Sequence, residues 1–98
     1  MKLRYHPDFL EDLIEAARWY EQRQAGLGEA FIQEAEDTID QIARQPRLWR
    51  IVGGGVRRVL LKRFPFAIHY RIVEEAGMIR FLTIKHGARH QDYGKDRR

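Results

Sequence analysis

The chain has 98 residues, enough for one domain and too few for several. Hydrophobic residues make up 44% and charged residues 33%, which is typical of a folded domain and excludes a disordered one. There is no cysteine, so disulfides, thiolate zinc sites and cysteine nucleophiles are excluded. No apolar run reaches the ~18 residues of a membrane span, and the N-terminus lacks the apolar core of a signal peptide, so we expect a cytoplasmic protein.

The net charge of +4 is unevenly distributed along the chain. Residues 8–40 carry ten acids and two arginines, whereas the cations are concentrated in 57–72 and 85–98. Two interpretations remain open. In the first, the acids cover solvated helix faces and balance the bases in space. In the second, the surface is polarised and its basic side binds an acidic or polyanionic partner.

The first half of the chain predicts a strand and two helices. Residues 2–6 alternate polar and apolar side chains, and Pro7 with the acids that follow it marks a helix start. Residues 8–24 and 29–44 repeat apolar side chains every three or four positions, and the glycines within 25–28 favour a reversal. We therefore predict an antiparallel helical hairpin. Its first apolar stripe is expected to consist of Leu10, Leu13, Ile14, Ala17 and Tyr20.

The second half predicts three strands. Gly53-Gly54-Gly55 is interpreted as a flexible connector, and Val56 to Phe64 as a strand. Phe66 to Val73 alternates, and a turn at 74–77 leads into a returning strand from Met78 to His86. The order β-αα-βββ predicts an α+β domain, an antiparallel sheet packed on one face by the N-terminal helical hairpin.

The predicted domain spans 1–98, with about 87–98 as a flexible basic tail. On the middle strand Phe66, Ile68, Tyr70 and Ile72 are expected to share one face. On the last strand, two alternating sets are expected to face opposite ways: Ile79, Phe81 and Thr83 against Arg80, Leu82 and Ile84.

Established catalytic and metal-binding motifs are missing from the sequence. The glycine run has no following Lys-Ser/Thr, and the chain contains no serine. His86 and His90 are separated by Gly87 and have no further ligands nearby, so we predict neither a metal nor a cofactor. We interpret His69 as a strand histidine whose hydrogen bonds are satisfied.

The basic strands are the more informative feature. Arg58 and Lys62 are expected on one strand face, Arg57 and Arg63 on the other, with Arg71 one strand over. Such a face is suited to bind a phosphate backbone and to polarise a scissile phosphodiester. Unpaired cations that confer solubility, or that await an acidic protein, are alternatives.

Two tryptophans lie outside the regular apolar stripes. Trp19 and Trp49 are each interpreted either as a protein contact or as a core residue.

The run from Val56 to Ile72, followed by a turn, Ile79 to His86 and Gly87-Ala88-Arg89, resembles the RelE/ParE superfamily of toxins from type II toxin–antitoxin modules. Its most specific part is the run KRFPFAI with Tyr70 two positions on, and the resemblance covers essentially the whole chain. It implies a small basic cytoplasmic toxin of the plasmid-stabilisation type, neutralised by a cognate antitoxin whose C-terminal segment wraps the helical hairpin and the sheet.

The resemblance implies one of two activities. Toxins of the RelE branch are ribosome-dependent mRNA endoribonucleases, and Leu60 and Ala67 stand where that branch carries cations. Toxins of the ParE branch poison DNA gyrase without being nucleases, and the strand Phe-Pro-Phe-Ala-Ile and the ending His-Gly-Ala-Arg look more like that branch. We favour the gyrase inhibitor, with the ribonuclease as the alternative.

The resemblance also implies candidate residues. If the chain is a ribonuclease, its catalytic residues are expected to be Arg58, Lys62, Arg89 and Tyr93. The residues expected to bind the target are Arg57, Arg58, Lys62, Arg63, Arg71, His86 and Arg89. The antitoxin is expected to contribute an acidic and apolar segment that covers Leu10, Trp19 and Trp49.

Overall fold

A computed structural model describes residues 1–87 of the chain. The fold is α+β, as the sequence predicts, and residues 88–98 of the predicted tail lie outside the described part. The helices and strands are β1 (Lys2–Tyr5), α1 (Pro7–Arg23), α2 (Leu27–Arg44), β2 (Ile51–Gly53), β3 (Val56–Leu60), β4 (Phe66–Val73) and β5 (Met78–His86). In residues 1–87, no helix is long and apolar enough to cross a membrane.

The five strands form one sheet in the order β1-β5-β4-β3-β2. β3, β4 and β5 pair antiparallel, as predicted, and β2 is an additional antiparallel strand, whereas β1 joins β5 in parallel. The sheet is therefore mixed. A parallel neighbour needs a long crossover, and the helical hairpin and the meander provide it between β1 and β5.

Local interactions fix both ends of the helical hairpin. The Asp8 backbone N–H donates to Nδ1 of His6 (3.1 Å), which caps α1 ahead of Pro7. In the turn between the helices, the N–H groups of Gly26 and Gly28 each donate to Glu21, both at 2.9 Å. A Cβ at Gly28 would lie 2.6 Å from the Ala17 carbonyl oxygen, so only glycine allows the two helices to approach this closely.

The buried face of α1 differs from the predicted stripe. Leu10 and Ile14 are exposed. Compared with the predicted orientation, α1 is rotated about its axis so that Phe9 faces the sheet. The Phe9 ring packs against Tyr5 and Phe81 at 5.4 and 5.9 Å between centroids. The residues of α1 that are buried in the core are Phe9, Leu13, Ala16 and Ala17.

The sheet packs one face against the helices, and β4 alternates as predicted. Ile68 and Tyr70 are fully buried in this core, with Phe66 and Ile72 packed at its margin. Burial of each large apolar side chain is worth about 1.5–3 kcal/mol.

The predicted alternation of β5 is wrong beyond Phe81. His69 pairs with Thr83 and Tyr70 with Phe81, so Leu82 is an extra residue in a β-bulge. The bulge shifts the alternation by one position, and Ile84 therefore joins Phe81 in the core.

Two boundaries in the basic half also differ from the predictions. The glycine run is a tight turn between β2 and β3 rather than a flexible connector, with positive φ angles at Gly53, Gly54 and Gly55. Strand β3 ends at Leu60 instead of Phe64, because the chain turns there and buries Leu61.

Candidate functional site

The sheet surface turned away from the helices, called the far face below, carries two of the predicted target-binding arginines. On β4, Ile68 and Tyr70 point into the core, so His69 and Arg71 point to the far face. On β3, Arg58 is the register partner of His69 and therefore shares that face. Arg58 and Arg71 are thus brought to one side of the sheet.

Two further arginines, which the sequence analysis missed, lie beside Arg71. Arg71 is the register partner of Arg80 on β5, and Arg80 is the register partner of Arg4 on β1. Arg4, Arg80 and Arg71 therefore stand side by side across three adjacent strands, and we call them the arginine row. The pairing of β1 with β5 creates this row, and no local sequence pattern indicates it.

None of the three side chains forms an ion pair within residues 1–87. Arg4 donates to the adjacent Leu3 carbonyl (3.0 Å), and the Nε of Arg80 is buried without a hydrogen-bond partner in that part of the chain. The Arg71 guanidinium lies over the turn at Gly55, where a Cβ would come within 3.3 Å of its Nη2.

His69 lies on the far face beside Arg58, and its environment keeps it uncharged. The side chain is 1% exposed, and neither ring nitrogen has a hydrogen-bond partner within residues 1–87. The prediction of a histidine with satisfied hydrogen bonds is therefore wrong for the described chain. Burial, together with the positive charge of Arg58, lowers the pKa of His69 from 6.5 to about 4. His69 is a neutral imidazole at pH 7.

Other predicted target-binding residues lie elsewhere. Arg57 is on the opposite side of β3 from Arg58, where its Nη1 donates to the Trp49 carbonyl oxygen (2.6 Å). Lys62 and Arg63 follow the end of β3 and lie beside α2. The carboxylate of Glu34 accepts both of their backbone N–H groups, the second at 2.9 Å.

The remaining members of the predicted sets are more widely separated. His86 ends β5, and its ring packs edge-on against Phe66 at 5.7 Å. Arg58 donates through Nη2 to the Gly87 carbonyl oxygen. Arg58 and Lys62, expected to share a strand face, do not, because β3 ends between them. Arg89 and Tyr93 lie outside the described residues.

A groove of about 560 Å³ runs between α1 and the end of β5. At its floor the buried carboxylate of Asp12 accepts from the Thr83 hydroxyl (2.8 Å) and pairs with the Lys85 ammonium (2.9 Å). Trp19 and His86 are among the residues that line it. One of the two interpretations of the sequence places the helical acids on solvated faces, and for Asp12 it is wrong. The position of Asp12 between Phe9 and Ala16, on the buried side of α1, is the signal that indicates its burial.

The residues predicted to contact an antitoxin have different environments. Leu10 is 57% and Trp19 is 50% exposed, and the Arg23 guanidinium covers the Trp19 ring at 3.3 Å from its centroid. Trp49 is only partly exposed and packs against the core.

The fold is shared with solved toxin structures. The chain superposes on the chromosomal ParDE toxin–antitoxin system from P. aeruginosa with a TM-score of 0.64 and 21% identity, covering 88% of this chain and 95% of that one. It superposes on the intact E. coli RelBE complex with a TM-score of 0.67 and 12% identity (90% and 98% covered). For the isolated E. coli RelE toxin the TM-score is 0.67 and the identity 12% (97% and 93% covered).

Sequence comparison then defines the family. The model of the ParE toxin of the type II toxin–antitoxin system parDE matches residues 3–91, nearly the whole chain. A search of curated protein sequences gives no match. The chain belongs to the ParE toxin family and is a toxin of a type II toxin–antitoxin system.

Proposed function

We propose that this toxin inhibits DNA gyrase and is neutralised by a cognate antitoxin. The observation that carries the proposal is the match to the ParE family model over residues 3–91. The geometry of the described residues agrees with a binding function: the far face has arginines, a neutral buried histidine and no carboxylate in contact with them.

The separation of the candidate catalytic residues argues against the ribonuclease alternative. Two cations that act on one scissile phosphodiester must lie within reach of the same group. Arg58 lies on the far face, where it donates to Gly87, whereas Lys62 lies next to α2. The neutral ring of His69 is buried and cannot reach a substrate without movement of the sheet.

The antitoxin is proposed to cover the exposed apolar residues of α1, Leu10 and Trp19. Half-exposed indoles are frequent anchors of protein interfaces. Structures of the ParDE and RelBE systems, which contain toxin and antitoxin, support such a partner. An acidic segment of the antitoxin would complement the unpaired arginines of the far face.

A supercoiling assay tests the gyrase proposal. Purified toxin is added to gyrase and relaxed plasmid, with toxin premixed with its antitoxin as the control. We expect loss of supercoiling and accumulation of cleaved DNA, both prevented by the antitoxin. Normal supercoiling at saturating toxin would reject the proposal.

The same toxin expressed in cells tests the alternative. Primer extension on cellular mRNA is expected to show no toxin-dependent cuts inside translated codons. Cuts at codons that appear on induction and disappear on co-expression of the antitoxin would identify a ribosome-dependent endoribonuclease instead.

A further inference from the structure

The arginine row concentrates positive charge that no carboxylate of residues 1–87 neutralises through an ion pair. Arg4, Arg80 and Arg71 are in register on adjacent strands, which are spaced by about 4.8 Å, so the row spans about 10 Å at the backbone. Like charges directly opposite each other destabilise a sheet. The Lys and Arg ion pairs formed within residues 1–87 involve other cations, namely Arg47, Arg63 and Lys85.

Two acids of α2 lie on the other side of the sheet from this row. Glu36 and Asp40 lie close enough to Tyr5, on the helix side, that their negative charges add to the effect of burial and raise its pKa. Glu74, near the hairpin between β4 and β5, pairs with Arg47 at 2.8 Å. Among residues 1–87 the row therefore has cations without an ion-pair partner, and an anionic ligand is the partner that its charge fits.

The side chains around the arginine row indicate which kind of polyanion it is suited to bind. Proteins that hold single-stranded nucleic acid stack its bases on aromatic rings. Among residues 1–87, the strand aromatics are all on the helix side of the sheet: Tyr5, Phe66, Tyr70 and Phe81 belong to the core or pack against its rings. The strand positions of the far face thus offer cations without a stacking surface, which suits a duplex whose bases are already stacked.

We propose that the arginine row binds the phosphodiester backbone of double-stranded DNA without sequence preference. The guanidinium groups donate to phosphate oxygens, and each neutralised phosphate releases counterions. Arg58 lies on the same face, opposite His69 in the register of β3 and β4, and adds to the positive potential. His69 stays neutral at pH 7.

This inference does not depend on gyrase as the target. Binding to DNA is measured without gyrase, so a toxin that binds duplex DNA and leaves supercoiling intact would reject the proposed function alone. A toxin that inhibits gyrase and does not bind DNA would reject this inference alone.

Fluorescence anisotropy with the full-length toxin tests it. The probe is a fluorescein-labelled duplex of mixed sequence about 20 base pairs long, titrated between about 50 and 300 mM NaCl, with its single strand as a second probe. Three phosphate contacts predict a slope of log K against log salt of about −2.7 or steeper. We expect the duplex to bind more tightly than the single strand.

Two variants with the same net charge distinguish the effect of the arginine row on DNA binding from the effect of net charge. Arg4→Gln/Arg71→Gln and Arg18→Gln/Arg44→Gln both remove two positive charges, the second pair from exposed helix positions. The row variant is expected to bind about tenfold more weakly at 50 mM salt, with a slope shallower by about 1.8, and the helix variant to stay within about twofold of wild type.

Equal losses in the two variants, a wild-type slope shallower than about −1, or tighter binding of the single strand would overturn the proposal. Circular dichroism checks the fold of each variant. If the double row variant does not fold, Arg4→Gln alone keeps the test decisive. The Arg4 side chain is exposed, and the hydrogen bond it forms within residues 1–87 is to the neighbouring Leu3 carbonyl. For Arg4→Gln the slope is expected to become shallower by about 0.9.

Discussion

His69 shows how one buried side chain makes the stability of the toxin depend on pH. Its ring lies on the far face next to Arg58, almost fully buried and without hydrogen bonds in the described chain. In the unfolded chain its pKa returns to the ordinary value of 6.5, whereas in the folded chain it is about 4. Between these two values the unfolded state binds more protons, so acid favours unfolding.

We expect the free energy of unfolding to fall by about 2 kcal/mol from this residue between pH 7 and pH 5. This contribution of His69 to the free energy of unfolding is present above pH 6.5 and is lost as the pH falls towards 4. Urea denaturation at the two pH values measures it. His69→Leu is the comparison, because it fills a similar volume and cannot titrate.

Other groups titrate in the same range in both proteins, so the difference between wild type and variant isolates His69. The variant is expected to lose about 2 kcal/mol less than wild type between pH 7 and pH 5. Equal losses would mean that the folded protein accommodates the protonated ring, against the environment described for it.

Between elements, a small set of polar contacts fixes α1 onto the sheet. Asp12 of α1 reaches Thr83 and Lys85 of β5, next to the β-bulge at Leu82. The carboxylate is buried and the ammonium is only partly exposed, so solvent screens this pair less than a surface pair. Arg47 and Glu74 form the contrasting pair: they are equally close, and both are more than half exposed.

The two pairs predict different costs of removal. Asp12→Asn is expected to lower the free energy of unfolding by about 2–3 kcal/mol, because it removes the negative charge 2.9 Å from the partly buried Lys85 ammonium. Glu74→Gln is expected to cost less than about 1 kcal/mol. Urea denaturation of the two variants measures both values, and a cost for Asp12→Asn no larger than that for Glu74→Gln would contradict a structural role of the buried pair.

The two helices lie on one side of the sheet and the arginine row lies on the other. The arginines of the far face have no carboxylate partner in residues 1–87, while the exposed apolar side chains of α1 lie on the helix side. The proposed antitoxin can therefore cover the helices with apolar side chains and reach the far face with its acidic segment. On the far face it would compete with an anionic target for the same arginines.

The two tryptophans give a test of where the antitoxin binds. Trp19→Ala is expected to weaken antitoxin binding by about 30-fold or more, as for an interface anchor, with little loss of stability. Trp49→Ala is expected to lower the free energy of unfolding by about 2–4 kcal/mol, because Trp49 packs against the core. Calorimetric titration with the antitoxin and urea denaturation measure the two effects.

Gln22→Ala, at an exposed position on the same helix, serves as the control and is expected to change neither value appreciably. Unchanged antitoxin binding by the Trp19 variant would remove α1 from the proposed interface.

Local sequence patterns predict most of the helices and strands, but they do not predict which side chains meet on the far face. Apolar spacing predicts both helices and the core face of β4, because each depends on near neighbours. The same reasoning fails at Leu82, where a bulge changes the alternation, and at Leu61, whose burial ends β3 early. The proximity of Arg4 and Arg80 could not be predicted in this way, because it results from the pairing of β1 with β5, two strands that are far apart in the sequence.

That parallel pairing also affects the order of events during synthesis. β1 is synthesised before the other strands, yet the strand with which it pairs in residues 1–87 is β5, which is made after the two helices and three strands between them. Chains grow by about 5–20 residues per second, so β1 spends several seconds without its partner. The nascent polypeptide cannot complete its sheet, and cannot present the arginine row, before β5 is available; a cell thus has that interval in which to bring the antitoxin to the growing chain.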